Sequence, residues 1–303
     1  MKVLFLNHTQ PACGVYQFGK RVYELSKNSK AVEYVYKELE TTQEYLRYLE
    51  EEKPDVVLYN WYPVTMGWLV EPLITNNKSV KHYFLFHDGH VRQTFDKYIF
   101  SGAEGKDINF PKEKTAIVPR PLFKYDGEHP TNEKFTVGSF GFGGWQKGFV
   151  SLVERVNAEF YNAVINIQMP FAHFGDRAGV EAVKIADACR KANTNSGIEL
   201  NIDHTFLSNE DTLKFLAKND LNVFMYRSQN QGLSSVIDYA LSVQRPVGIT
   251  NDSMFKHMYK PQMDVNEFSL LQLKNMNTEH TQEFYDKWNP DNFSKEMDKI
   301  YAD

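Results

Sequence analysis

Apolar residues come in short runs along this chain, and each run closes on polar residues before a helical pattern takes over. Val3, Leu4, Phe5 and Leu6 form a nearly unbroken apolar run, the pattern of a strand covered on both faces. Gly14 then opens a segment that carries Val15, Phe18, Val22 and Leu25 at helical spacing. The alternation repeats as a strand over 32–36, a helix over 41–50, a strand over 55–59, a helix near 65–73 and a strand over 82–87. Strands alternating with helices predict parallel βαβ units.

Pro111, Pro119, Pro121 and Pro130 punctuate a polar stretch running to about Glu133, which reads as a linker. Beyond it the rhythm restarts. Strands are expected over 135–140, 163–168, 199–202, 221–226 and 246–250, and helices over 149–156, 177–192 and 235–243. Ser208, with Asp211 three positions on, caps a further helix whose buried stripe is Leu213, Leu216 and Ala217. From about Thr281 the pattern is helical without strands. The predicted organisation is therefore an N-terminal α/β domain over 1–125, a C-terminal α/β domain over 134–280, and helices over 281–303 placed to cross back to the first domain. In such sheets ligands gather at the carboxyl ends of the strands, where loops meet helix N-termini.

The length of 303 residues suits two domains, and 42% apolar with 24% charged residues is the composition of a packed globular chain. No apolar run reaches transmembrane length, and the run in MKVLFLNHTQ is too short for a signal peptide. A cytoplasmic location is the expectation, with room for a small basic patch at a phosphate or an anionic membrane surface. A net charge of −5 argues against a general nucleic-acid surface. The two cysteines, Cys13 and Cys189, lack metal-ligand spacing and read as free thiols. Aromatic residues reach 14%, enough to fill cores and also to line a sugar-binding cleft.

Two segments carry candidate chemistry. The first is the glycine-rich stretch 138–148, which follows a strand and includes Gly143 and Lys147-Gly148. Glycines there let the backbone approach a ligand, and Lys147 adds a full charge beside a phosphate. An ordinary strand-to-helix turn with a solvated lysine has the same pattern. The second is the polar loop and helix from Arg227 to Leu241. The amides of Leu233, Ser234 and Ser235 are placed to meet phosphates, and Asp238, about one turn into the helix, to accept from ribose hydroxyls. Ser234 as a cap and Asp238 as a dipole partner make up the plainer alternative.

The order and spacing of these segments resemble the donor domain of retaining GT-B glycosyltransferases of the family-four, group 1 type. That pattern has a strand, a glycine loop with Lys-Gly, a later strand with Ser and a Glu-Gly loop, a helix beginning Glu-Ala-Leu, and a Pro-Val strand. The chain offers Lys147-Gly148, Ser228, Gln231-Gly232, Asp238-Tyr239-Ala240-Leu241 and Pro246-Val247 in that order. Where the family carries two glutamates with seven residues between them, a spacing that here joins Asn230 to Asp238, this chain has Asp238 for the second, and Asn230 or, by its glycine neighbour, Gln231 for the first. An amide there loses a charge but still hydrogen-bonds sugar hydroxyls. The arginine that many members place before Lys-Gly is missing, and Arg227 is the candidate second cation. In the first half, Gly14 matches the glycine loop facing donor phosphates or acceptor. The strand-end segment Phe84 to His90 resembles the family's histidine segment, in which His87 or His90 would meet the sugar or acceptor and Asp88 would orient it. His8, Asn60 and Trp61 also close predicted strands.

The resemblance implies two Rossmann-like domains facing across a cleft and transfer of a hexose or pentose from a UDP- or GDP-linked donor to a glycan or other hydroxyl acceptor, with retention. No cofactor is implied, and no metal site, since neither Asp-x-Asp at a strand end nor a His-Cys-carboxylate cluster is present. The amide in place of the first glutamate motivates a second reading, a non-catalytic nucleotide-sugar or glycan binder. A GT-B sugar-nucleotide epimerase is a third.

Overall fold

The computed structural model describes residues 1–87, 95–102, 110–228 and 232–302. It divides the chain into two compact units, one built from residues 1–121 together with the C-terminal residues from Trp288, the other from residues 122–287.

The first unit is a six-stranded parallel sheet. Its strands are β1 (Lys2–Asn7), β2 (Glu33–Glu38), β3 (Val56–Tyr59), β4 (Lys81–Phe86), β5 (Lys97–Ser101) and β6 (Thr115–Val118), in the order β2-β1-β3-β4-β5-β6. The alternation in β1 explains its double burial. Val3 and Phe5 join one hydrophobic cluster and Leu4 and Leu6 another, each without solvent exposure. Helix α1 (Gly14–Ser26) covers the first face through Phe18 and Val22. Helix α2 (Thr42–Glu52) begins at a capping box, in which Thr41 and Glu44 satisfy each other's backbone amides. The short α3 (Glu71–Thr75) follows β3.

In the second unit the strands are β7 (Thr136–Phe140), β8 (Ala163–Gln168), β9 (Ile198–Asp203), β10 (Leu221–Phe224) and β11 (Val247–Ile249), all parallel in the order β11-β10-β7-β8-β9. Helices α4 (Phe149–Glu159) and α5 (Val180–Ala192) pack Leu152, Val153, Ile185 and Cys189 against one face. Helices α6 (Asn209–Ala217) and α7 (Val236–Ser242) follow, then α8 (Leu270–Trp288). Helix α9 (Pro290–Lys299), capped by Asn289, returns the chain to the first unit, where Phe293 and Met297 pack with Val3, Phe5, Val56 and Leu58.

The differences from the sequence reading have local causes. The helix expected near 65–73 starts only at Glu71, because Pro72 is confined to the first turn of a helix. The stretch read as a linker holds β6, a four-residue edge strand with Ile117 exposed and Pro119 just past its end. Strand β5, with Tyr98, Ile99 and Phe100 buried, was not anticipated either. Helix α8 begins eleven residues before the predicted helical tail at Thr281.

Each sheet has one point where the chain reverses its direction of growth. In the first unit it lies between β1 and β3, and in the second between β7 and β10. Loops diverge there and leave a crevice at the carboxyl ends of the strands.

Candidate functional site

At the first switch point, Asn7 ends β1, Asn60 follows β3 and His87 follows β4. Asn60 Nδ2 donates to Asn7 Oδ1 at 2.7 Å and to the Val15 carbonyl at 2.8 Å. His87 Nε2 lies 2.6 Å from Asn60 Oδ1. Asn7 is held in turn, since its Nδ2 donates to the Tyr16 carbonyl and to Tyr36 Oη, and its Oδ1 accepts the His8 amide. The network depends on Gly19, where a Cβ would stand 2.2 Å from Asn60 Nδ2.

His87 sits edge-on against Phe18, with ring centroids 5.1 Å apart. Burial, reinforced by the positive fields of Arg120 and His8, brings its pKa down from 6.5 to about 3, so the ring is neutral near pH 7. Arg120 is buried beyond β6, where it donates to the Ser101 carbonyl and lies 5.0 Å from the centre of the Phe18 ring. Gly14 is the first residue of α1, and a Cβ there would meet nothing within 4 Å.

The second switch point brings Lys147 onto Tyr226. The Lys147 ammonium lies 4.0 Å from the centre of the Tyr226 ring, a cation–π distance. Gly148 makes the turn behind it with φ +72°, and a Cβ there would fall 1.9 Å from the Met225 carbonyl oxygen. Gly143 is equally constrained, because a Cβ would come within 2.7 Å of the Ala182 backbone at the start of α5. Arg227, with its side chain exposed, donates its amide to the Gln146 carbonyl at 2.9 Å. The loops that carry the two candidate cations are thus joined through the backbone.

Asp252 fixes the start of the second loop by accepting the Ser228 amide at 2.7 Å and the Ser228 hydroxyl at 2.8 Å. Gly232, Leu233 and Ser235 are half-buried. The Ser234 amide, expected to be open to a phosphate, instead donates to the Met254 carbonyl at 3.1 Å. Helix α7 begins only at Val236, which leaves Ser234 in the loop. Asp238 is completely buried. Asp88, His90, Asn230 and Gln231 lie outside the described residues.

Four residues of these clusters escaped the sequence reading. Asn7 carried the weak signal of a polar residue closing an apolar strand, and Tyr226 that of an aromatic at a strand end. Arg120 was hidden between two prolines, and Asp252 had no signal in its own segment. Among the described residues no group of three or more His, Cys, Asp or Glu side chains could hold a metal ion. No helix among them is long and apolar enough to cross a membrane.

No family model and no curated sequence matches the chain. Its likeness to known proteins is structural. HepE of Anabaena, solved with UDP and glucose, aligns over 100% of this chain and 99% of its own at 11% identity and a TM-score of 0.69. A glycosyltransferase of Rickettsia africae aligns over 99% and 97% at 9% identity, also with a TM-score of 0.69. TarM of S. aureus, solved with fondaparinux, α-GlcNAc-glycerol and UDP, aligns at 15% identity and a TM-score of 0.62, over 85% of this chain and 58% of its own. At such identities the likeness speaks for the fold. The chain has the GT-B fold of these glycosyltransferases, with its two parallel Rossmann-like α/β units.

Proposed function

We propose that this protein transfers a sugar from a nucleoside diphosphate to a hydroxyl acceptor, and that Lys147 stabilises the leaving diphosphate. The observation that carries this reading is the Lys147–Gly148 turn at the second switch point. A turn that admits only glycine holds a lysine on an aromatic face, 4.0 Å from its centre, at the ligand-binding edge of a parallel sheet. A cation at that place offsets charge that builds on a departing phosphate. Arg227, on the adjoining loop, is the second candidate cation. UDP in the HepE and TarM structures supports a uridine donor.

On the other unit, His87 is assigned to a hydroxyl of the sugar or acceptor. As a neutral ring with one nitrogen committed to Asn60, it is suited to hydrogen bonding rather than to charge stabilisation. Retention of configuration, a hexose or pentose as the transferred sugar, a glycan as acceptor and independence of metal ions belong to the same proposal and rest on the resemblance of the motifs. A non-catalytic nucleotide-sugar binder is the second reading, favoured by the amides at 230 and 231 and by the enclosed carboxylate of Asp238.

Calorimetry with UDP and GDP tests the main reading. A hydrogen bond to a charged group contributes about 1.5–3 kcal/mol, so Lys147→Met should weaken nucleotide binding by about ten- to a hundredfold. Equal affinity in the variant would remove Lys147 from the site. Binding of UDP-sugars with no turnover, by hydrolysis or transfer, would select the non-catalytic reading.

A further inference from the structure

The hydrogen bonds around Asn60 form a directed chain that starts at the backbone and ends on an imidazole. The Val15 carbonyl can only accept, so the Asn60 atom 2.8 Å away is the amide nitrogen. The Tyr16 carbonyl and the His8 amide fix Asn7 by the same logic, with its Nδ2 toward the former and its Oδ1 toward the latter. Asn7 Oδ1 therefore receives the second N–H of Asn60, at 2.7 Å. Both hydrogens of the Asn60 amide are then used, and only its oxygen faces His87, at 2.6 Å. An amide oxygen accepts and cannot donate.

From this we infer that Asn60 is a positioning residue that locks His87 in the Nε2–H tautomer and leaves Nδ1 as a lone-pair acceptor for a ligand hydroxyl. Gly19 belongs to the same device, since it alone gives Asn60 the room to reach all three partners. His87 would then meet its ligand as a hydrogen-bond acceptor and never as a neutral donor, a selectivity for hydroxyl or N–H groups over carbonyls and ethers. The ligand assignment rests on the function proposed above, whereas the tautomer assignment does not. Among the described residues, the groups that face the ring are Phe18, Arg120, His8 and Asn60. Burial, with the fields of Arg120 and His8 behind it, keeps the charged form little occupied, so the tautomer question is meaningful at neutral pH.

The test is nitrogen-15 NMR of selectively labelled histidine in the full chain at neutral pH. The wild type should show Nε2 protonated and Nδ1 bare. Asn60→Leu removes the acceptor and should shift the tautomer ratio by about five- to tenfold toward Nδ1–H. Asn60→Asp keeps an acceptor oxygen toward His87, which should still favour Nε2–H, although its second oxygen then opposes the Val15 carbonyl and Asn7 Oδ1 and weakens the anchor. It should also raise the pH at which the ring titrates, a response that a merely structural residue would not produce. Gly19→Ala provides a second route, because it displaces Asn60 without changing its chemistry and replaces a helix-interior glycine by the better helix former. A His87 that is Nδ1–H in the wild type, or whose tautomer is indifferent to both Asn60→Leu and Gly19→Ala, overturns the inference. If the tautomers behave as expected while no sugar nucleotide is turned over, the proposed function fails and the positioning role stands.

Discussion

Replacing Gly148 by alanine probes the second switch point more sharply than replacing the lysine beside it. The residue has φ +72°, where an L side chain costs about 1–2 kcal/mol. The new Cβ would also lie 1.9 Å from the Met225 carbonyl oxygen and 2.7 Å from its carbon, which are backbone atoms. Met225 directly follows β10, which hydrogen-bonds to both β7 and β11 and is fully buried. It cannot swing aside as a flexible side chain would. Relief therefore has to come from the turn itself, by movement of about 1 Å, at a cost of about 1–3 kcal/mol in a well-packed region. The two contributions together predict a loss of about 2–5 kcal/mol in the second unit. For a unit of this size that corresponds to a melting temperature lower by about 5–15 °C.

Urea unfolding followed by circular dichroism measures the loss, and calorimetry with UDP measures its consequence for the ligand. The turn moves Lys147 away from Tyr226, so nucleotide affinity should fall in Gly148→Ala although the lysine is still present. Lys147→Met, in contrast, should lose affinity and leave the urea midpoint nearly unchanged. Wild-type stability in Gly148→Ala would refute the steric argument. Wild-type affinity together with reduced stability would show that the turn serves folding alone.

Two further outcomes follow from the first unit. Phe293 is fully buried among Val3, Phe5, Val56 and Leu58, so Phe293→Ala should cost about 3–5 kcal/mol in urea unfolding; a loss below about 1 kcal/mol would mean that α9 does not complete this core. His87, held near pKa 3 against 6.5 in an unfolded chain, excludes a proton that the unfolded chain binds, so its contribution is full above pH 6.5 and is lost as the pH falls toward 3, by about 1 kcal/mol per pH unit. His87→Gln should therefore lose less stability than the wild type between pH 6.5 and about 4.5, and parallel curves over that window would contradict a ring held neutral in the fold.

What the sequence disclosed depended on how many residues shared each signal. The strand β1 was legible because four adjacent apolar residues can only be satisfied by burial on both sides. The capped start of α6 was legible from Ser208 and Asp211, and Ser208 does accept the Asp211 amide. The edge strand β6 was not, because a four-residue strand with one exposed face leaves only two or three apolar positions, and the flanking prolines outweighed them. The site residues divide along the same line. Lys147-Gly148 stood out because the positive φ leaves a glycine in the sequence. Asn60 was visible only as a polar residue after a strand, and its importance arises from the carbonyl of Val15 and the side chain of Asn7, far from it along the chain. Asp238 shows the reverse case, since its helix was found but its burial was not. Periodicity places Asp238 on a helix but does not say what later packs over that face.

The two switch points solve different electrostatic problems, and this gives the proposed chemistry its internal consistency. Lys147 is a full charge stacked on an aromatic face and partly open to solvent, so it pays little for desolvation and keeps its field available to a diphosphate. His87 is the opposite, an uncharged ring anchored by uncharged amides and kept neutral by burial. A sugar or acceptor hydroxyl needs only a directional acceptor, and a charged group there would demand a counter-ion that a neutral sugar does not bring. A departing diphosphate carries charge that amides alone neutralise poorly, and it requires a cation. Exchanging the two devices would leave an ammonium facing a neutral sugar and an uncharged imidazole facing a phosphate. The cation beside β10 and the neutral ring at the end of β4 each suit the part that the proposed transfer assigns to them.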